Sequence, residues 1–274
     1  MAKYINPYTD FGFKKLFGEE ANKDLLIDFL NQLLPPHHQI SDLTFKNVEH
    51  LSDLTNERKA IFDIHCQAIN GEQFVVEMQK AKINFFKDRA LFYITFPIRE
   101  QAKRGEWDFK LTPIYLVAIL DFEYDEDQEK KKFLRDVQLK DQDCEVFYEK
   151  LHFKFIQMPL FTKEEHQLET HFDKWIYFLK KLESFDHIPE ILQEPIFEKA
   201  FKTAEVANLT PAQWTEYEQS RLSYYEMKEA VNTAEMDGYK RARIEMAKEM
   251  KYDGESTEKI KKYTGLSATE IEKL

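Results

Sequence analysis

An α/β fold with a mixed central sheet flanked by helices, followed by an all-helical C-terminal region, is what the order of apolar runs in this chain predicts. Three observations carry that reading. Residues 58–79 form two β-prone runs joined at Asn70-Gly71, the strongest short hairpin signal. Residues 111–122 are an almost unbroken apolar, β-rich run, as expected of a strand covered on both faces. From Lys163 onward no strand pattern remains, and apolar residues recur at helical spacing. The expected division is a core over residues 1–162, a helical extension over 163–225 and a helical tail over 226–274.

The chain opens with Asn6-Pro7-Tyr8-Thr9-Asp10, a turn in which Asp10 is the expected helix N-cap. Phe13, Leu16 and Phe17 then recur at helical spacing, and a longer helix from about Ala21 carries Leu25, Leu26, Phe29, Leu30 and Leu33 until Pro35-Pro36 ends it. Glu19, Glu20 and Asp24 read as solvated helix charges. Residues 40–50 are the next strand candidate and lead through Leu51-Ser52-Asp53 into the hairpin.

Two acids interrupt the hairpin's apolar runs: Asp63 between Phe62 and Ile64, and Glu77 between Val76 and Met78. Strand propensity and burial both oppose an unpaired carboxylate there. A two-residue turn at Asn70-Gly71 would set Asp63 opposite Met78 and put the acids on opposite faces. A three-residue loop, Ile69-Asn70-Gly71 with Gly71 left-handed, pairs Ala68 with Glu72 and therefore Asp63 with Glu77. Opposed side chains lie about 5 Å apart on one face, where like charges repel. A divalent cation turns that repulsion into binding. Gln79 points the same way as Glu77, because strand side chains repeat every second residue.

A helix over about 85–103 follows, with Arg89 and Tyr93 four apart on one face. Arg89 reads either as a phosphate contact, with Tyr93 hydrogen-bonding beside it, or as an ordinary surface arginine. Lys80, Lys82, Lys87, Lys103 and Arg104 read as solvated charge. After the central strand come a charged excursion at 123–132 and further strands at 133–139 and 145–159, the last with Phe153 and Phe155 on one face. Leu168, Phe172, Trp175, Ile176, Leu179 and Leu182 mark one helix, and further helices cover about 190–250. His166 and His171 are five apart, not the four that put two ligands on one helix face. Ser256 and Ser267 are expected caps, Ser267 and Glu270 forming a capping box after Gly265. This end resembles a helix-turn-helix, diluted by Glu255, Glu258, Glu270 and Glu272. A self-association or partner-binding tail and a DNA reader both remain open.

Composition narrows the chemistry. The 274 residues are 43% hydrophobic and 14% aromatic, enough to bury a full core. No run approaches 18 apolar residues and the start lacks a signal-peptide core, so a cytoplasmic protein without membrane spans is expected. Cys66 and Cys144 are too few for a metal knuckle and read as packing residues. Seven glycines, with no phosphate-cradling loop, argue against P-loop or Rossmann nucleotide chemistry. The net charge of −11 argues against a surface that grips nucleic acid everywhere. Its distribution is uneven, however. Residues 78–110 hold eight Lys/Arg against four Asp/Glu, and residues 121–150 hold six against eleven. A basic stretch directly after the acid pair suits a phosphate-facing helix.

Asp63 followed by Glu77-Met78-Gln79 on adjacent strands resembles the active-site motif of the PD-(D/E)XK nuclease superfamily. Asp63-Ile64, Val76-Glu77-Met78-Gln79, the run Phe86-Lys87-Asp88-Arg89-Ala90 and Tyr93 are similar to the recombination-promoting nuclease and transposase (Rpn) family. So are Asp10-Phe11-Gly12-Phe13-Lys14-Lys15-Leu16-Phe17-Gly18 near the start and Thr264-Gly265-Leu266-Ser267 near the end. The acid pair alone is a weak signal; the ordered set of patches is far more specific. Gln79 departs from the superfamily, which usually has lysine there, and can act by hydrogen bond only.

The resemblance implies a restriction-endonuclease-like core and a metal-dependent DNA endonuclease. Asp63, Glu77 and the Met78 backbone carbonyl would hold Mg²⁺, Mn²⁺ or Ca²⁺, hard ions that prefer oxygen. Gln79 would orient the attacking water, and Arg89, Tyr93 and Lys14 would face the substrate phosphate. Asp10 or Lys14 reaching the metal site is the alternative to Asp10 as a cap. DNA is the implied partner, with self-association through the helical end. The rival expectation is a non-catalytic nucleic-acid- or protein-binding scaffold on the same fold, favoured by the missing lysine and the acidic charge.

Overall fold

The computed structural model describes residues 2–46, 63–82, 84–102, 108–124 and 131–274. Six strands form one sheet in the order β1 (Leu43–Phe45), β2 (Ile64–Ala68), β3 (Gln73–Gln79), β4 (Ile114–Leu120), β6 (Val146–Gln157) and β5 (Leu134–Lys140). β4 runs parallel to both neighbours and is buried along its whole length, as its continuous apolar pattern requires. The other pairings are antiparallel, so the sheet is mixed. The crossover from β3 to β4 is α3 (Phe86–Gln101), as parallel neighbours demand. Residues 47–62, and with them the end of the expected strand at 40–50 and the start of the hairpin, lie outside the described residues. So do Lys103, Arg104 and residues 125–130 of the charged excursion.

Each face of the sheet has its own layer. Phe74, Val76 and Met78 of β3 join a large core with α1 (Asp10–Phe17), α2 (Lys23–Asn31), α4 (His171–Lys181), α5 (Pro195–Ala204) and the first part of α6 (Pro211–Tyr252). Trp175 sits within this core, 5.7 Å and 6.0 Å from the Phe17 and Phe29 ring centroids. On the other face, Val75 joins Leu116, Ala118, Phe153 and Phe155 beneath Phe86, Ala90 and Ile94 of α3. Gln73, Glu77 and Gln79 share Val75's face by strand alternation. The fold therefore turns the candidate acids toward α3.

Two local devices fix the approach to the site. Thr9, not Asp10, caps α1: its hydroxyl accepts from the Gly12 N–H at 2.9 Å and donates to the Asn6 carbonyl at 2.8 Å. Asp10 is already helical, which leaves its carboxylate free to reach elsewhere. Gly12 is required at this turn, since a Cβ would lie 2.1 Å from the Asn6 carbonyl oxygen. The hairpin closes through the three-residue loop, with Gly71 at φ 91° and the Ala68 N–H donating to the Glu72 carbonyl at 2.8 Å. Cys66 is buried as expected, but Cys144 is exposed in the β5–β6 turn at φ 65°, so it does not pack.

The chain divides into two compact units, Met1–Tyr224 and Tyr225–Leu274. In the second, Ala247 of α6, Ile260 of α7 (Thr257–Thr264), Leu266 and Ile271 of α8 (Ala268–Glu272) form a small core. Ser256 and Ser267 cap α7 and α8, the latter with the Glu270 capping box, and Gly265 ends α7 at φ 66°. Among the described residues, no helix is long and apolar enough to cross a membrane.

A candidate carboxylate site at the end of β3

The β2–β3 register pairs Ile64 with Val76, and one further step sets Asp63 opposite Glu77. The two acids bind each other's strands. The Asp63 N–H donates to Glu77 Oε1 at 3.2 Å, and the Met78 N–H donates to Asp63 Oδ2 at 2.7 Å. Gln79 Nε2 donates to the remaining Glu77 oxygen, Oε2, at 2.7 Å. Glu77 is only 3% exposed, whereas Asp63 is half-buried.

Electrostatics follow from that placement. Burial, reinforced by the Asp63 charge, pushes the Glu77 carboxyl up to about 8, against smaller opposing effects of its hydrogen bonds and of Arg89. Burial also raises Asp63, while the Met78 N–H, Lys14 and Lys80 pull it down and Asp10 pushes it up. At neutral pH and without a counter-ion, the inner acid therefore keeps its proton. The pair is arranged to take up positive charge.

α3 supplies the opposite wall. Arg89 Nε donates to the Tyr93 hydroxyl at 2.8 Å and its guanidinium lies 4.9 Å from the ring centroid. Tyr93 is raised above its usual range first by burial and then by the Glu77 charge, which places the pair beside the acids. From α1, Lys14 is exposed and lines a cavity of about 350 Å³ with Asp63, His65 and Lys46. Among the described residues, Lys14 forms no ion pair. Asp10 is near enough to perturb Asp63, but its carboxylate is held by Lys80 Nζ at 2.6 Å. Lys80 is thus no solvated charge: its side chain is only 11% exposed and ties β3 to α1.

The sequence reading missed two groups here. His65 follows Asp63 at strand period and so shares its face; its Nε2 lies 3.2 Å from Gln73 Oε1. Lys46, just past β1, donates to the same Gln73 oxygen at 3.2 Å and to Glu100 at 2.9 Å. Period-two counting from Asp63 could have found His65; nothing local marks Lys46. Lys59, a conceivable counter-ion for the acids, lies outside the described residues.

Among the described residues, no three His, Cys, Asp or Glu side chains gather as a closed metal cage. The donors nevertheless fit a hard divalent ion bound openly. Asp63 and Glu77 offer carboxylate oxygens across one strand pair, and strand geometry aims the Met78 carbonyl to the same side as its N–H, toward Asp63. Two carboxylates, with water and substrate oxygens completing the shell, are the usual complement of such an ion in phosphate chemistry.

No curated protein and no solved structure matches the chain. A family model described as PD-(D/E)XK nuclease family transposase matches residues 7–234, taking in both acids, Gln79, α3 and every strand of the sheet. The sheet and its flanking helices have the restriction-endonuclease-like arrangement. With a match over most of its length, this chain belongs to the PD-(D/E)XK nuclease family transposases.

Proposed function

We propose that the protein is a metal-dependent DNA endonuclease that hydrolyses phosphodiester bonds in recombination or transposition, acting in the cytoplasm. The observation that carries this reading is the facing of Asp63 and Glu77 across β2 and β3, where burial and the Asp63 charge raise the Glu77 carboxyl. Asp63, Glu77 and the Met78 carbonyl hold the ion, with Mg²⁺, Mn²⁺ and Ca²⁺ all suited to these oxygens. When bound, such an ion lowers the pKa of water and neutralises charge developing on the phosphate.

The side chains do the rest. Gln79 donates through its amide nitrogen to Glu77, which fixes the carboxylate and leaves the amide oxygen to accept a hydrogen bond from the attacking water. Tyr93 holds Arg89 in place, and the guanidinium contacts a substrate phosphate oxygen. Lys14 brings an ammonium to the Asp63 side of the site, restoring positive charge that Gln79 cannot supply. Self-association through Tyr225–Leu274 is part of the proposal.

One observation favours a second reading. The Gln79 amide and the Asp63 N–H already bond both Glu77 oxygens, as in the structural network of a non-catalytic binding scaffold. Incubation of supercoiled plasmid with the protein across a panel of divalent ions separates the two. Nicking or linearisation that needs the ion supports the nuclease; retention of DNA without cleavage under every ion supports the scaffold.

A further inference from the structure

Phe85 adopts a left-handed backbone, φ 64°, and leaves 78% of its surface exposed. Both features are unfavourable for a phenylalanine: a bulky non-glycine residue is strained at positive φ, and the ring gains nothing from water. It opens α3, its carbonyl accepting from the Arg89 N–H at 3.0 Å, with no side-chain cap. The ring borders a cavity of about 420 Å³ whose lining includes Tyr124, Lys82 and Lys87, with Asp88 on the same rim. Lys87 Nζ lies 5.9 Å from the Tyr124 ring centroid, and Tyr124 is held from behind by Phe86 and Phe155 at 5.5 Å each. Lys82 and Lys87 are exposed.

The Phe85 and Tyr124 rings, with the buried Phe86 beneath, and two ammonium groups around one opening are the elements of a single-strand binding site, where rings stack on bases and cations follow the phosphates. Its position adds to the argument. Phe85 is the residue just before α3, and its carbonyl bond to the Arg89 N–H sets it one turn, about 6 Å, from Arg89 along the chain. The opening therefore lies within one turn of Arg89 along the chain. Inside a duplex each base face is stacked on its neighbours, so a ring stacks without the cost of unstacking the helix only on an unpaired base.

We propose that Phe85, with Tyr124, Lys82 and Lys87, forms a stacking site for an unpaired nucleobase adjacent to the phosphate held by Arg89. The substrate class is then DNA carrying a single-stranded segment rather than continuous duplex. This rests on the nuclease reading for its placement, but its test does not.

Binding is measured by fluorescence anisotropy in chelator, so that no cleavage occurs, with the full chain and two labelled probes: a short single-stranded oligothymidine and a blunt duplex of equal length. Phe85→Ala is expected to weaken single-strand binding about tenfold, the scale of one lost base–aromatic stack, and to leave duplex binding within twofold. Phe85→Trp, which restores a ring, is expected to recover the affinity. Phe85→Gly, which suits the left-handed backbone, should behave as the alanine variant and guards against a folding defect. Unchanged single-strand affinity in the alanine and glycine variants overturns the proposal, as does an equal loss for duplex. If the protein cleaves nothing yet binds single strands through Phe85, the nuclease reading fails and the stacking site stands. Cleavage with no dependence of binding on Phe85 has the reverse meaning.

Discussion

Gln79 Nε2 lies 2.7 Å from Glu77 Oε2, two residues back on the same face of β3. The residue at the superfamily's lysine position thus binds the acid proposed to hold the metal. Gln79→Leu keeps the size and removes the donor, so it should lose at least about an order of magnitude in cleavage rate, the scale of a misplaced reacting group. Gln79→Lys adds a charge beside Glu77, and cleavage should survive or improve. Single-turnover rates on a labelled duplex at matched metal occupancy distinguish chemistry from binding; equal rates for leucine and parent would exclude the Gln79 side chain from the reaction.

Glu77 sets a stability profile in chelator. The folded protein keeps this proton up to about pH 8, whereas the unfolded chain loses it near 4.5. More protons are bound in the folded state over that window, so stability falls as pH rises through it and levels off above. Glu77→Gln removes that slope while retaining an acceptor for the Asp63 N–H, and should melt at or above the parent temperature at pH 8. Asp63→Ala strands the Met78 N–H and should cost about 1 kcal/mol. Thermal melts from pH 5 to 9 check both, and a Glu77→Gln variant that melts far below the parent would make the acid a structural partner instead.

His171 has the opposite sign. Its Nε2 lies 2.7 Å from Asp28 and its Nδ1 3.3 Å from Glu194, and the Asp28 hydrogen bond raises it most, against burial and the nearby Lys174. The imidazolium is favoured in the folded state, so its contribution is full below the ordinary histidine range and is lost as pH rises through the raised value. His171→Ala should cost about 1–2 kcal/mol at pH 5.5, discounted for partial exposure, and less at pH 9. Denaturant titrations at the two pH values give the difference; an equal cost at both would mean the ring acts by packing on Phe197 alone.

Lys14 and Arg89 are assigned to phosphate, a role that shows in salt dependence. Lys14→Ala should weaken DNA binding roughly uniformly across sequences and reduce the slope of log affinity against log salt by about one. Arg89→Lys keeps the charge but loses the planar fork held by Tyr93, so it should retain the slope and lose cleavage. Anisotropy over a salt series, paired with initial rates, reads both quantities.

Much of this site could be read in the chain because it is local. Asn70-Gly71 and the alternation of acids with apolar residues determined the loop length, and the loop length set Asp63 against Glu77. Tyr93 and Arg89 met because they are four apart on one helix. What escaped was non-local or depended on a one-residue shift. Lys80 looked solvated because its partner Asp10 is 70 residues earlier. Asp10 could bind Lys80 because the buried Thr9 had taken over the cap, and both residue types cap well. Lys46 reaches Gln73 and Glu100 from another strand end, which no spacing rule reveals.

Asp63 and Glu77 are proposed to bind one divalent ion and use it to cut DNA. Conversion of supercoiled plasmid to nicked and linear forms, followed in Mg²⁺, Mn²⁺ and Ca²⁺ for the parent, Asp63→Ala and Glu77→Gln, tests it most directly. Cleavage by the parent should require the ion and be abolished by chelator, and both variants should lose cleavage while they remain folded. Cleavage that persists undiminished in either variant, or a folded parent that cuts under none of the ions, would contradict it.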